Sequence, residues 1–421
     1  MRTFKHTTVA VLAASLGLAG SAMAQNAEVI HWWTSGGESA AVQELAAAYK
    51  AAGGTWVDTA IAGGDNARNT TLNRIAGGKP PTVAQFNTSK QYHEVVAEGL
   101  LNDIDAVATK EGWDKLFPEP LKKFVKINGK YFAMPVNIHN PSWFWYSKAV
   151  LAKAGVTAEP QSMDQFFAAL DKIKASGAIP LALGGQAWQE GILFNAILHT
   201  AGGADLYRRF YASTEVAVAK QTAGKEFGCF PGCGAKAPYM IERDLKGYVD
   251  AGSPNRDWNV ATAMVISNKA GFQVMGDWAK GEFAVAKQTA GKEFGCFPGW
   301  GAKAPYMIEG DVFVFPKTKD ANAIKAQQLF ATVATSPAVQ VAFNAKKGSI
   351  PIRTDVDMGK LDICSQQGVA ALKDPARHLA SPNQSVAPEK KGQIDDAITK
   401  FWNTDQSVDA AAKAFAAILK G

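Results

Sequence analysis

The sequence predicts an α/β protein of two lobes, each a mostly parallel sheet flanked by helices. The chain has 421 residues, too many for one compact core. Strand-like and helix-like stretches alternate from residue 25 to beyond residue 150, the pattern of sheets with helical crossovers. Hydrophobic residues make up 47% and charged residues 19%, which excludes a disordered chain.

Residues 1–24 read as a secretory signal peptide. Arg2 and Lys5 form the basic region, residues 8–20 the apolar core, and SAMA at 21–24 the small-x-small cleavage site. The apolar run is shorter than the ~20 residues of a spanning helix, and no Cys follows Ala24. A soluble, periplasmic protein is expected. Removing the leader's two cations from the formal charge of +6 leaves +4, too mild and scattered a charge for nucleic acid.

The elements follow in order. EVIHWW is a strand that runs into Trp32 and Trp33. Residues 40–52 form a helix with Val42, Leu45, Ala46 and Tyr49 on one face. Residues 55–63 and 81–87 are strands. Asn128-Gly129 marks a hairpin. Helices are expected near 147–155 and 163–176, then a buried strand in AIPLALGG and a helix in GILFNAILHTAGG with a glycine stop. Two amphipathic helices close the chain, marked by Ile394, Ala397, Ile398 and Phe401, then by Val408, Ala412, Phe415 and Leu419.

Residues 217–242 and 284–309 are identical except for Cys233 against Trp300. The wider pair, 215–242 and 282–309, reads as a recent duplication, because stacked repeat folds need three or more units. One asymmetric fold cannot offer two equivalent environments, so one copy is expected to be native. The second continues an apolar stretch and leads into the strand-like DVFVFP. The first interrupts a helical region with Gly- and Pro-containing stretches, where misfit is expected. Spacing alone does not pair the cysteines. With the second copy native, Cys296 and Cys364 are the disulfide candidate and Cys229 is surplus. Cys229-x-x-x-Cys233 lacks the second ligand pair of a zinc site.

No nucleophile elbow, Walker loop or dinucleotide fingerprint is present. The six histidines (His6, His31, His93, His139, His199, His378) are scattered, so no metal or cofactor is expected. Glu38, Asp277 and Asp311 could supply the carboxylate pair of an exported glycoside hydrolase, the alternative of another class. Eleven tryptophans, many beside polar residues, favour binding. Indole faces suit the C–H faces of pyranose rings, and neighbouring charged groups suit hydroxyls.

The strings VIHWWTSGGESAAV, QFNTSKQY, YFAMPVNIHNPSWFWYSKAVLAKAGV, GGQAWQEGILF, VMGDWAKGEF and KKGSIPIRTDV resemble the sugar-binding proteins of bacterial ABC importers. The likeness is to the glucose/mannose-binding branch and covers the mature chain except 212–244. It implies a maltose-binding-protein-like, two-lobe periplasmic binding fold, with 25–138 and 277–317 in the first lobe and 139–276 and 318–421 in the second. Crossing segments are expected near 137–141, 274–278 and 315–319. The implied function is capture of a monosaccharide (glucose or a similar aldohexose) and delivery to a membrane permease, with its ATPase engaged indirectly. A disaccharide or polyol is the rival ligand, and a monomer is expected.

The resemblance assigns ligand contacts residue by residue. Trp32 and Trp33 line the cleft, although packing under the lobe would also account for them. Glu38 accepts from hydroxyls or, alternatively, closes a capping box with Ser35. Asn87 and Lys90 follow a strand end, His139 lies at the hinge, and Trp188 and Gln189 follow a glycine pair. Asp277 and Trp278 form the MGDW contact. Lys347 either donates to the sugar or complements a helix C-terminus. The branch often carries a histidine before the penultimate helix, where Asn383 and Gln384 stand here.

Overall fold

A computed structural model of the chain describes residues 25–212 and 242–420. The expected signal peptide, Cys229 and Cys233, and the first copy up to residue 241 lie outside them.

The first sheet orders its strands Gly54–Ala60, Gln25–His31, Val83–Asn87, Asp311–Val314 and Ala133–Pro135. The first three run parallel, and Asp311–Val314 runs antiparallel to both neighbours. The second sheet orders Phe294–Phe297, Trp143–Ser147, Ala270–Met275 and Ile179–Ala182, with only the last pair parallel. The two-lobe α/β architecture is as expected, but the sheets are mixed, not mostly parallel. Strands that arrive from the opposite lobe enter against the local direction, which a reading of local strand–helix alternation does not capture.

The lobe boundaries also differ from expectation. The helix Ala321–Ala334 packs on strand Gln25–His31, and Pro337–Lys347 packs on the helix Gly36–Ala51. Residues 318 to about 354 therefore belong to the first lobe. Strand Phe294–Phe297 belongs to the second sheet, so 277–317 is divided between lobes. The third crossing is not at 315–319, where Asn102 and Lys317 bond locally to Phe315 and Leu100. It lies at 309–311, where His139 and Glu309 exchange backbone hydrogen bonds of 2.8 and 3.0 Å. Ile138 and Ile350 make a similar exchange of 2.8 and 2.9 Å beside it.

The first helix begins at Gly36, earlier than residue 40, with Ser35 as its N-cap and Ala41, Val42, Leu45 and Tyr49 buried. Gly37 stands in its first turn because another backbone lies against it: a Cβ there would sit 2.5 Å from the carbonyl carbon of Gly281.

The second copy of the repeat is built into the core. Trp300, the one residue that tells the copies apart, packs its ring 4.9 Å from Phe144, 5.3 Å from Phe297 and 5.7 Å from Phe166. A cysteine could not fill that space. The copies also end differently. Glu309 accepts from Asn383 at 2.7 Å. Glu242 is buried with neither carboxylate oxygen hydrogen-bonded, and burial together with Glu190 pushes its acid well up despite Lys246. An unpaired buried carboxyl is costly. Cys296 and Cys364 form a disulfide with Cα atoms 6.0 Å apart, as expected.

His199, on the helix Ala187–Tyr211, is fully buried with neither ring nitrogen hydrogen-bonded, and burial lowers its pKa to about 3. The unfolded chain takes up this proton near pH 6.5 and the folded chain does not. Stability from this site is thus fully present above pH 6.5 and is lost as pH falls toward 3. Between pH 7 and 5, the stability of His199→Leu relative to the parent is expected to rise by about 2 kcal/mol. Urea unfolding at the two pH values measures this, and a constant difference would contradict it.

Candidate functional site

A cleft of about 480 Å³ opens between the lobes. Its first wall hangs from the carboxyl ends of the parallel strands, the usual ligand position in such sheets. Trp32 and Trp33 end the strand Gln25–His31, Asn87 ends Val83–Asn87, and Arg68 comes from the helix Gly64–Ala76. The second wall carries Trp188, Trp258, Asn383, Lys391 and Asp395, with His139 and Glu309 on the crossing segments at the floor.

A buried ion pair borders the cleft. Lys347 Nζ donates to Glu38 Oε1 at 2.9 Å, with the two side chains 3% and 9% exposed. The ammonium lies 5.7 Å from the ring of Trp33 and 5.5 Å from that of Trp278, close enough for cation–π attraction. Ser35 caps the helix by accepting from the Glu38 N–H at 3.4 Å, and its hydroxyl donates to Glu38 Oε2 at 3.1 Å. Glu38 therefore joins the cap and faces the cleft at once. Lys347 ends its helix, with Gly348 as a left-handed C-cap, and faces the cleft too. Each side chain thus serves a helix end and borders the cavity, although Glu38 meets the Ser35 hydroxyl and not its backbone N–H, so the full capping box is not closed.

Four titratable groups meet at the hinge. Burial alone would lower the His139 imidazole, but Asp311, Glu309 and Asp277 outweigh it and hold its pKa up. Burial would raise Asp311, but His139, Lys347 and the amide of Asn137 bring its carboxyl below the usual range. Asp311 accepts from Asn137 at 2.8 Å and from Gln85 and Asn87 at 3.1 Å each. Glu309 is raised by burial. Asp277 is raised to about 7, again by burial, against the pull of His139.

Of the expected contacts, Trp32, Trp33, Glu38, Asn87, His139, Trp188, Trp278, Lys347 and Asn383 line the cleft. Trp33 does so from within the core, 1% exposed and packed on Phe313 and Phe343. Three residues do not line it. Lys90 Nζ is tied to the carbonyl of Ser385 at 2.9 Å. Gln189 is buried against Gly184 and donates to Gln186 and to the Arg256 carbonyl. Asp277 lies behind the cleft wall, where Oδ2 accepts from the Asn140 N–H at 3.2 Å. Its acid in an apolar setting was a genuine signal of burial, but its neighbour Trp278 is the residue that reaches the cavity.

The sequence reading missed Arg68, Asn195, Asp257, Trp258, Glu309, Lys391 and Asp395 as lining residues. Arg68 had a legible signal: it follows the Gly63–Gly64 loop beyond a parallel strand. Its guanidinium covers the Trp32 ring at 5.1 Å and donates to Asn87 at 3.2 Å. Gln384, the alternative to the missing histidine, turns away to Thr88 and to its own cap.

Two α/β lobes, crossing segments between them and an indole-lined cleft above those segments define a two-lobe binding protein. The chain belongs to the bacterial extracellular solute-binding protein family, whose model matches residues 33–341. It is 37% identical to a "Probable sugar-binding periplasmic protein" of Rhizobium meliloti, over 99% of each chain. A protein of the same description from Mesorhizobium japonicum is 42% identical over 84% of this chain and 82% of its own. Among solved structures, a chitin oligosaccharide binding protein superposes with a TM-score of 0.77 at 18% identity, over 94% of this chain and 98% of its own. As a member of this family the chain is a receptor and not an enzyme, which sets aside the glycoside-hydrolase alternative. No helix among the described residues is long and apolar enough to cross a membrane.

Proposed function

We propose that the protein is the periplasmic receptor of an ABC importer, capturing a monosaccharide of the aldohexose class, such as glucose, and presenting it to a membrane permease. One observation carries the reading: Trp278, between Trp188 and His139, stands beside the buried Lys347–Glu38 pair in a cavity that Asp311, Glu309 and Asn383 also line. An aromatic platform ringed by charged donors and acceptors suits a pyranose. The names of the rhizobial relatives support a sugar, and that of a 28% identical relative from Pyrococcus horikoshii, an "ABC transporter extracellular-binding protein", supports the transporter. A micromolar ligand needs about −8 kcal/mol. A few charge-assisted hydrogen bonds of about 1.5 to 3 kcal/mol each, with a stacked ring, reach this after ordering costs.

Calorimetric titration with glucose, mannose, galactose, xylose and maltose tests the reading, and no binding heat with any of them would overturn it. Trp278→Ala is expected to weaken the best ligand by about 2 to 4 kcal/mol, with the unliganded melting midpoint little changed. A disaccharide is the second reading. Trp188 is 37% exposed and, with Trp258, extends the aromatic lining toward the second wall, where a second ring could lie. Tighter binding of maltose than of any monosaccharide would favour it.

A further inference from the structure

Three glycines meet behind the Lys347–Glu38 pair, one from each of three elements. A Cβ on Gly37 would lie 2.5 Å from the Gly281 carbonyl carbon and 2.8 Å from its Cα. A Cβ on Gly281 would lie 2.7 Å from the Lys346 carbonyl oxygen. Gly348, at φ +91°, would place a Cβ 2.5 Å from the Asp277 carbonyl oxygen. The obstructing atoms are backbone, so no side chain can rotate away. Each glycine stands close in sequence to a cleft residue. Gly37 precedes Glu38, Gly348 follows Lys347, and Gly281 lies in the short helix Ala279–Val285 that follows Trp278. That helix packs on Gly36–Ala51 and Pro337–Lys347 of the first lobe and on Trp258–Ile266 of the second. Glu282, on the same helix, accepts the Gly37 N–H at 2.7 Å.

We infer that Gly37, Gly281 and Gly348 are positioning residues, which by backbone-to-backbone contact set the spacing of Trp278 over the Glu38–Lys347 pair and thereby the affinity of the cleft. The inference rests on the sugar-receptor reading. None of the three touches the cavity. A methyl group at the junction would push the Trp278 segment away from the ion pair by a fraction of an ångström or more, and recognition geometry tolerates about half an ångström.

The test is calorimetry on the full chain well below its unliganded melting midpoint, using whichever of the five sugars above the unaltered protein binds best. Gly281→Ala is expected to weaken binding about tenfold to a hundredfold in the folded protein. The control is Gly271→Ala. Gly271 lies in the second sheet, and its added methyl would press on Ile173. This variant should melt earlier and bind unchanged, because a merely structural glycine moves stability and leaves the affinity of the folded fraction alone. If Gly281→Ala does not fold, Glu282→Ala decides the matter by removing the Gly37 acceptor, with about tenfold weaker binding expected. A folded Gly281→Ala protein with parental affinity, or Glu282→Ala with parental affinity where the glycine variant fails, overturns the inference. If the unaltered chain binds none of the five sugars, the aldohexose reading falls, and the inference falls with it.

Discussion

Lys347→Met is expected to destabilise the protein by about 3 to 5 kcal/mol and to abolish sugar binding. Methionine keeps much of the lysine stem, so the core around Trp33 and Phe343 loses little packing. What it loses is the partner of Glu38, whose carboxylate would remain buried with the Ser35 hydroxyl as its donor. A buried charge stripped of its partner costs more than the pair contributes against an apolar substitute. The double variant Lys347→Met with Glu38→Leu is therefore expected to recover stability without recovering binding. Urea unfolding and calorimetry on the parent, the single and the double variant separate the two effects. A single variant as stable as its parent would show that Glu38 is not desolvated.

The second large effect is expected at Cys364→Ser. The disulfide with Cys296 spans a sequence separation of 68 residues, and a cross-link of that length stabilises by about 4 kcal/mol in the chain-entropy account. It ties the edge strand of the second sheet to the helix Ile363–Leu372. The cap of that helix, Asp362, accepts from Lys280 at 2.6 Å on the helix Ala279–Val285. Thermal unfolding with and without a reductant measures the loss. A variant that melts with the oxidised parent would show that the cross-link restrains little.

Much of this was legible in the sequence because it is local. The alternating patterns, the buried face of the first helix and the Trp32–Trp33 strand end all follow from periodicity. The expectation for the second repeat copy rests on its continuity with neighbouring apolar stretches, and Trp300 packs on Phe144, Phe166 and Phe297 in it. What local pattern does not carry is the return path of the chain. The helices Ala321–Ala334 and Pro337–Lys347 close the first lobe although they follow the last crossing strand, and periodicity holds no record of which sheet a helix covers. The same limit explains Asp277 and Trp278. Adjacent residues on a crossing segment face opposite ways, one toward Asn140 and the other into the cavity, and only the path of the segment decides which. Lys391 and Asp395 are not legible because a helical charge carries no spacing that tells a cleft-facing position from a solvent-facing one.

The crowding of indoles in the cleft has a practical consequence. Of eleven tryptophans, Trp32, Trp33, Trp188, Trp258 and Trp278 border one cavity. Nearly half of the chain's tryptophans thus border the cavity in which a solute is expected to bind. Filling that cavity is expected to change the intrinsic emission, an optical gauge of occupancy with no dye or label attached.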